Sequence, residues 1–295
     1  MDLTRMLEEE RATVERMLDG CLPPAVEYPP VIHQAIRYSA LGGGKRIRPI
    51  LSRATARALG FEVERLAKVA CAVEYVHCSS LVLDDLPSMD DASTRRGRPT
   101  VHRRFGVATA ILAADALLMQ AFRLVAENGI EVGADGGSVA TAVSELATAV
   151  GSYGMVGGQH VDLESAGLAA TTAETVEYIQ SRKTGSLFVV TGTIGPTLMG
   201  ASGETRAALA EYARNVGLAY QIVDDILDAE SDKRTLGKDV RQDAGKPTFV
   251  TLRGVDGARA LARKLVAEAR EALGALRIDT SPLDSLAGYC VDRVC

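Results

Sequence analysis

Long stretches of this chain place apolar residues three and four positions apart, and almost none alternate them every second position. That spacing gathers apolar side chains on one face of an α-helix, whereas a half-buried strand needs a period of two. Residues 108–129, ATAILAADALLMQAFRLVAENG, predict a mostly buried helix closed at Asn128-Gly129, a helix-stop signal. Residues 204–228 predict another of about six to seven turns. Residues 66–85 predict a third, ending near Asp85 because Pro87 disfavours helix at Leu86. Aromatics make up 4 % of the chain, Trp is absent and Ala and Leu recur throughout, a bias toward helix over strand. Only SLFVVTGTIG, 186–195, is ambiguous, because Val and Thr also suit a sheet. Breaks fall at 19–30, 40–49, 128–137 and 231–247, with no fixed repeat and no low-complexity linker. The expectation is an all-α fold, one domain over residues 1–295, of about ten or more helices.

Length and charge narrow the class further. At 295 residues the chain is near the size at which a single core stops growing. A net charge of -5 leaves no basic footprint, which argues against a nucleic-acid partner. The first 18 residues are charged throughout and lack the apolar core of a signal peptide. No uninterrupted apolar stretch approaches the roughly 20 residues that span a bilayer. The five cysteines form no C-x-x-C pair; Cys71 and Cys78, seven apart, share a helix face as small core residues. The expected compartment is the cytoplasm.

Two acidic clusters carry the chemistry. In DDLPSMDD, Asp84 and Asp85 close a predicted helix, and Asp90 and Asp91 follow a proline-containing turn. In YQIVDDILD, Gln221, Asp224 and Asp228 fall at i, i+3 and i+7 and share one helix face, with Asp225 beside them. Like charges four apart repel, so helix propensity does not explain Asp224 and Asp228. Alone, the second cluster has a weaker alternative reading as a solvated acidic face, and the first as an acidic loop. Two of them, each preceded by apolar helix and with no Cys/His set, suit a hard ion such as Mg²⁺. That ion takes one or two carboxylates and binds phosphate with its remaining positions.

Cationic segments supply the complement: Lys45, Arg46 and Arg48 after a glycine run, and Arg95, Arg96 and Arg98 after the first cluster. Arg182 and Lys183, then Lys238 and Lys246, follow further on. GGGK does not match the phosphate loop of nucleotide-binding folds. The clusters hold seven aspartates, and roughly three Mg²⁺ would bring roughly six positive charges against them. Metal and basic side chains are two ways of holding a phosphate group, which suggests two different phosphorylated substrates.

With these residues in view, the chain resembles the trans-isoprenyl diphosphate synthases. DDLPSMDD is similar to that family's first aspartate-rich motif and YQIVDDILD to its second. GGGKRIRP, RRGRPT, GGQHVDL (157–163), KTG and GKPT occur in family order over residues 37 to 252. The resemblance implies a helical bundle around a central cavity (the isoprenoid synthase fold), normally a homodimer. It implies condensation of isopentenyl diphosphate with an allylic diphosphate. Carried over, Lys45, Arg48, His77 and Arg96 would hold isopentenyl diphosphate. Asp84, Asp90 and Asp224 would ligate about three Mg²⁺, with Asp85, Asp91, Asp225 and Asp228 in support. Arg95, Lys183 and Lys238 would hold the allylic diphosphate, and Lys183, Thr184 and Gln221 would stabilise the allylic cation. Lys246 would add to substrate binding, although the loop before it is shorter than in many relatives.

Product length turns on Ser79 and Ser80, about one helical turn before Asp84, where farnesyl-making relatives commonly carry an aromatic floor. Two small residues favour a C20 product, and the surrounding motifs look especially like bacterial geranylgeranyl diphosphate synthases. Alternatively both serines only satisfy helix carbonyls. The rival readings are a farnesyl diphosphate synthase, a class I terpene cyclase and a non-catalytic synthase subunit. A cyclase would not need the isopentenyl pocket, and a non-catalytic subunit would tolerate the loss of aspartates that are all present here.

Overall fold

A computed structural model describes residues 3–165, 172–234 and 248–292. Among these the chain is helical almost throughout, as its periodicity predicts, and it divides into two compact units. The first comprises Met1–Arg57, Phe61–Val143 and Thr197–Gly200; the second comprises Ala58–Gly60, Ser144–Pro196 and Ala201–Cys295.

The first unit holds α1 (Leu3–Cys21), α2 (Pro30–Ala40), α3 (Ile47–Ala58), α4 (Ala67–Asp84), α5 (Val101–Phe105) and α6 (Val107–Val132). It also takes the start of α7 (Gly136–Val150). A short β1 (Thr94–Arg95) pairs antiparallel with β2 (Arg98–Pro99). The core is α4 against α6. Val69, Ala70, Ala72, Val73, Tyr75 and Val76 of α4 are all fully buried, as are Cys71 and Cys78; each valine enclosed in this way contributes about 1.5–3 kcal/mol. Asn128 locks the pair: its Oδ1 accepts from Val69 N at 2.9 Å and its Nδ2 donates to Arg65 O at 2.6 Å. The predicted stop at Asn128-Gly129 is therefore corrected. Asn128 is an interior anchor, and α6 runs on to a cap at Gly133, whose φ of 78° is left-handed.

The second unit follows with α8 (Met155–Ser165), α9 (Ala173–Ile179), α10 (Ser186–Leu198), α11 (Gly203–Arg234), α12 (Phe249–Leu273) and α13 (Ser281–Asp292). One turn of π-helix, Gln180–Gly185, joins α9 to α10. The ambiguous 186–195 is helix: Leu187, Phe188, Val190 and Ile194 are buried, and burial outweighs the β-preference of Val and Thr. Thr191 and Thr193 turn their hydroxyls back to Leu187 O and Val189 O at 2.7 and 3.2 Å. Tyr212 of α11 reaches Leu283 O at 2.7 Å and ties α13 down.

Two stretches, Val63–Asp84 and Val107–Val132, are long and apolar enough by length and composition to cross a membrane, although neither is uninterrupted. The first is mostly buried and contains Glu74, ion-paired inside the unit, which marks a core helix. The second is 33 % buried and leaves Val107, Ile111, Leu112 and Met119 exposed.

Candidate active site

In the first unit the chain leaves α4 at Asp84 and folds straight back. Asp90 N donates to Asp84 O at 2.9 Å, Asp91 N to Leu86 O at 3.0 Å and Ala92 N to Asp85 O at 3.2 Å. The six-residue step from Asp84 to Asp90 thus returns the backbone to its start. Arginines then divide the four carboxylates. Arg95 donates from Nε and Nη2 to Oδ1 of buried Asp85 at 3.0 and 2.6 Å, and Arg103 donates to Asp91 at 3.0 Å. Asp84 and Asp90 are half-buried beside them.

The next arginines sit on a hairpin whose two-residue loop, Arg96-Gly97, has φ of 54° and 73°. Left-handed values at both positions define the tight turn that matches the twist of paired strands. Among the described residues the non-glycine positions with positive φ are Arg46, Asp91 and Arg96, all in this region; such strain concentrates where surrounding structure holds it for a purpose. Arg96 donates to Gly43 O and lays its guanidinium over Gly44. A Cβ on Gly44 would stand 2.7 Å from Arg96 Cζ, at a φ of 126° that side chains rarely adopt. Arg98 instead covers the Tyr38 ring at 3.9 Å.

The glycine loop sorts its own cations. Lys45 is exposed, Arg48 is half-buried, and Arg46 turns inward. Half-buried His77 has its pKa pushed well below the usual value, first by burial and then by the charges of Arg48, Arg96, Arg46 and Arg95. The structure therefore brings His77, Arg48 and Arg96 into one electrostatic neighbourhood. Ser79 is buried and donates to Ala114 O of α6 at 2.8 Å, while half-buried Ser80 bonds back to His77 O at 2.8 Å.

In the second unit the π-turn presents Lys183 and Thr184 side by side. A π-turn inserts one extra residue into the helical path and re-aims the side chains around it. Lys183 Nζ lies 2.6 Å from Asp162 Oδ2 of α8. Thr184 Oγ1 lies 3.5 Å from Gln221 Oε1, and Gln221 Nε2 donates to Asp225 at 2.9 Å. One and two turns beyond Gln221 along α11 come Asp224, half-buried, and Asp228, exposed. Lys238 and Lys246 lie outside the described residues. Reading the sequence alone did not single out Asp162, although GGQHVDL contains it; its ion pair with Lys183 is visible only in the fold.

Among the described residues no three His, Cys, Asp or Glu side chains form a ready-made ion cage. Mg²⁺ does not need one, since water and substrate phosphate complete its shell. Asp84 and Asp90 on one loop, and Asp224 and Asp228 on one helix, offer only hard oxygens and fit that ion.

An acidic loop closing α4, an arginine cradle, an acidic face on α11 and a lysine-threonine π-turn stand on an all-α scaffold, and the similar solved structures are isoprenyl synthases of the isoprenoid-synthase fold. The polyprenyl synthetase family model matches residues 29–275. A geranylgeranyl diphosphate synthase of Cyanophora paradoxa is 40 % identical over 294 residues, covering 99 % of this chain and 97 % of that one. The farnesyl diphosphate synthase of Escherichia coli K12 is 39 % identical over 299 residues, covering 99 % of each. An FPP/GFPP synthase structure from Zymomonas mobilis superimposes with a TM-score of 0.86 at 35 % identity, covering 98 % of this chain and 99 % of that one. The chain belongs to the polyprenyl synthetase family and is a trans-prenyltransferase that elongates prenyl chains.

Proposed function

We propose that the enzyme joins isopentenyl diphosphate head to tail to an allylic diphosphate and releases geranylgeranyl diphosphate, a C20 product. One observation carries the two-substrate reading: a single unit offers both an acidic loop suited to metal-bound diphosphate and an arginine cradle suited to direct contact. Lys45, Arg48, His77 and Arg96 hold isopentenyl diphosphate through charge-assisted hydrogen bonds. Arg95, Lys183 and Lys238 hold the allylic diphosphate as it leaves. Asp84, Asp90 and Asp224, with Asp85 and Asp228 in support, would hold about three Mg²⁺, which would supply Lewis acidity toward the allylic diphosphate. Thr184 and Gln221 turn oxygens to the cation at C1. The pocket brings C4 of isopentenyl diphosphate against C1, and the departing diphosphate takes the proton. No protein nucleophile is required.

The C20 product is supported by small side chains at Ser79 and Ser80; the geranylgeranyl and farnesyl diphosphate synthases at 40 and 39 % identity favour neither length. Exposed Val107, Ile111, Leu112 and Met119 on α6 support a homodimer. The test is product chromatography after incubation with isopentenyl and farnesyl diphosphates, with and without EDTA. Metal-dependent C20 supports the proposal. No C20 alongside C15 from geranyl diphosphate identifies a farnesyl diphosphate synthase, and turnover indifferent to EDTA removes the metal assignment.

A further inference from the structure

We propose that Asp162 is a positioning residue for Lys183, and that α8 is the template on which the π-turn sets that lysine; the inference rests on the prenyl-transfer reading. Two observations one helical turn apart on α8 converge. The Asp162 carboxylate lies 2.6 Å from Lys183 Nζ, with only 11 % of the Asp162 side chain and 28 % of the Lys183 side chain exposed. Four residues earlier, Gly158 is buried directly against the π-turn: a Cβ there would fall 2.3 Å from Lys183 N and 2.8 Å from Lys183 Cα. Backbone is not the yielding end of a flexible side chain, so the absence of a side chain at 158 is what lets the turn seat. One contact places the lysine backbone, and the other places its ammonium.

The arrangement answers a specific weakness of lysine. Its charge sits on a flexible four-carbon stem whose rotamer freedom an incoming diphosphate would otherwise have to overcome. A fixed carboxylate orders the stem beforehand. The ammonium has three donors, so it can keep one on Asp162 and offer two to a phosphate oxygen. Asp162 repels the diphosphate unless Lys183 stands between them, which confines the lysine to the useful side.

The test is steady-state kinetics on Asp162→Asn, Asp162→Glu and Gly158→Ala, with thermal melting in parallel. Asp162→Asn lowers kcat on the order of ten- to hundred-fold through misplacement of Lys183, leaves KM for isopentenyl diphosphate within about twofold and leaves melting unchanged; Asp162→Glu restores part of the rate. Gly158→Ala lowers kcat without altering charge but also lowers the melting temperature, because its Cβ meets the Lys183 backbone; if it does not fold, the Asp162 pair still decides. Asp162→Asn with wild-type kinetics overturns the proposal. So does a loss that tracks a lowered melting temperature, with both substrates weakened alike and no rescue by glutamate. A wild-type enzyme without prenyl transfer would instead remove the reading beneath it.

Discussion

Arg46→Met removes the most enclosed charge of the first unit. The Arg46 side chain is fully buried, with Nη1 2.6 Å from Glu74, Nε 2.8 Å from Glu15 and Nη2 2.7 Å from Ala40 O. Burial opposes its charge, but Glu15 and Glu74 outweigh burial and hold the guanidinium pKa above its usual value. Methionine leaves Glu74, 2 % exposed, as a buried charge without its cation. Breaking such a pair from one side costs about 3–5 kcal/mol, against a total stability of about 5–15 kcal/mol. At a slope of about 3 kcal/mol per M urea, the unfolding midpoint followed by circular dichroism falls by roughly 1–1.7 M. Adding Glu74→Met should recover at least half of that loss, because two apolar side chains replace a pair whose desolvation nearly cancels its attraction. A single variant within about 0.5 kcal/mol of wild type, the scatter of an ordinary surface change, would refute the reasoning.

Three further outcomes follow from the site. Gly44→Ala strains a left-handed backbone and displaces the Arg96 guanidinium, so KM for isopentenyl diphosphate rises by about tenfold or more, the worth of one hydrogen bond to a charged group; an unchanged KM would dissociate Arg96 from that substrate. Ser80→Phe shortens the product with the fold retained. Ser79→Phe drives a ring into the α4–α6 contact and costs about 1–3 kcal/mol, so chromatography and melting of the two variants should diverge; C20 from Ser80→Phe would discard the floor. His77 stays neutral in the folded enzyme while the unfolded chain binds a proton below about pH 6.5. Stability is therefore lost as pH falls through that value, by up to about 1.4 kcal/mol per unit; His77→Gln should flatten this slope between pH 7 and 5.5, and an identical slope would show that His77 is not its source.

Legibility differed between the helices and the charges. The 3.6-residue period located α4, α6 and α11 from local spacing, although α6 outran its apparent stop because Asn128 had a partner on another helix. Cys71 and Cys78 were readable as core because two thiols on one apolar face have nowhere else to go. The acidic motifs were readable by residue type and order, while their division of labour was not. Nothing in DDLPSMDD says that Asp85 and Asp91 answer to arginines, nor in GGGKRIR that Arg46 turns inward while Lys45 faces solvent.

By itself, then, the sequence determined an all-α chain, the order of its phosphate-handling motifs and the family they define, since each depends on residues near one another along the backbone. Tertiary structure alone decided which charges neutralise one another, that Ser79 bonds to α6 and that Asp162 holds Lys183. Those pairings form only when loops fold back and helices pack, which local spacing along the chain does not set.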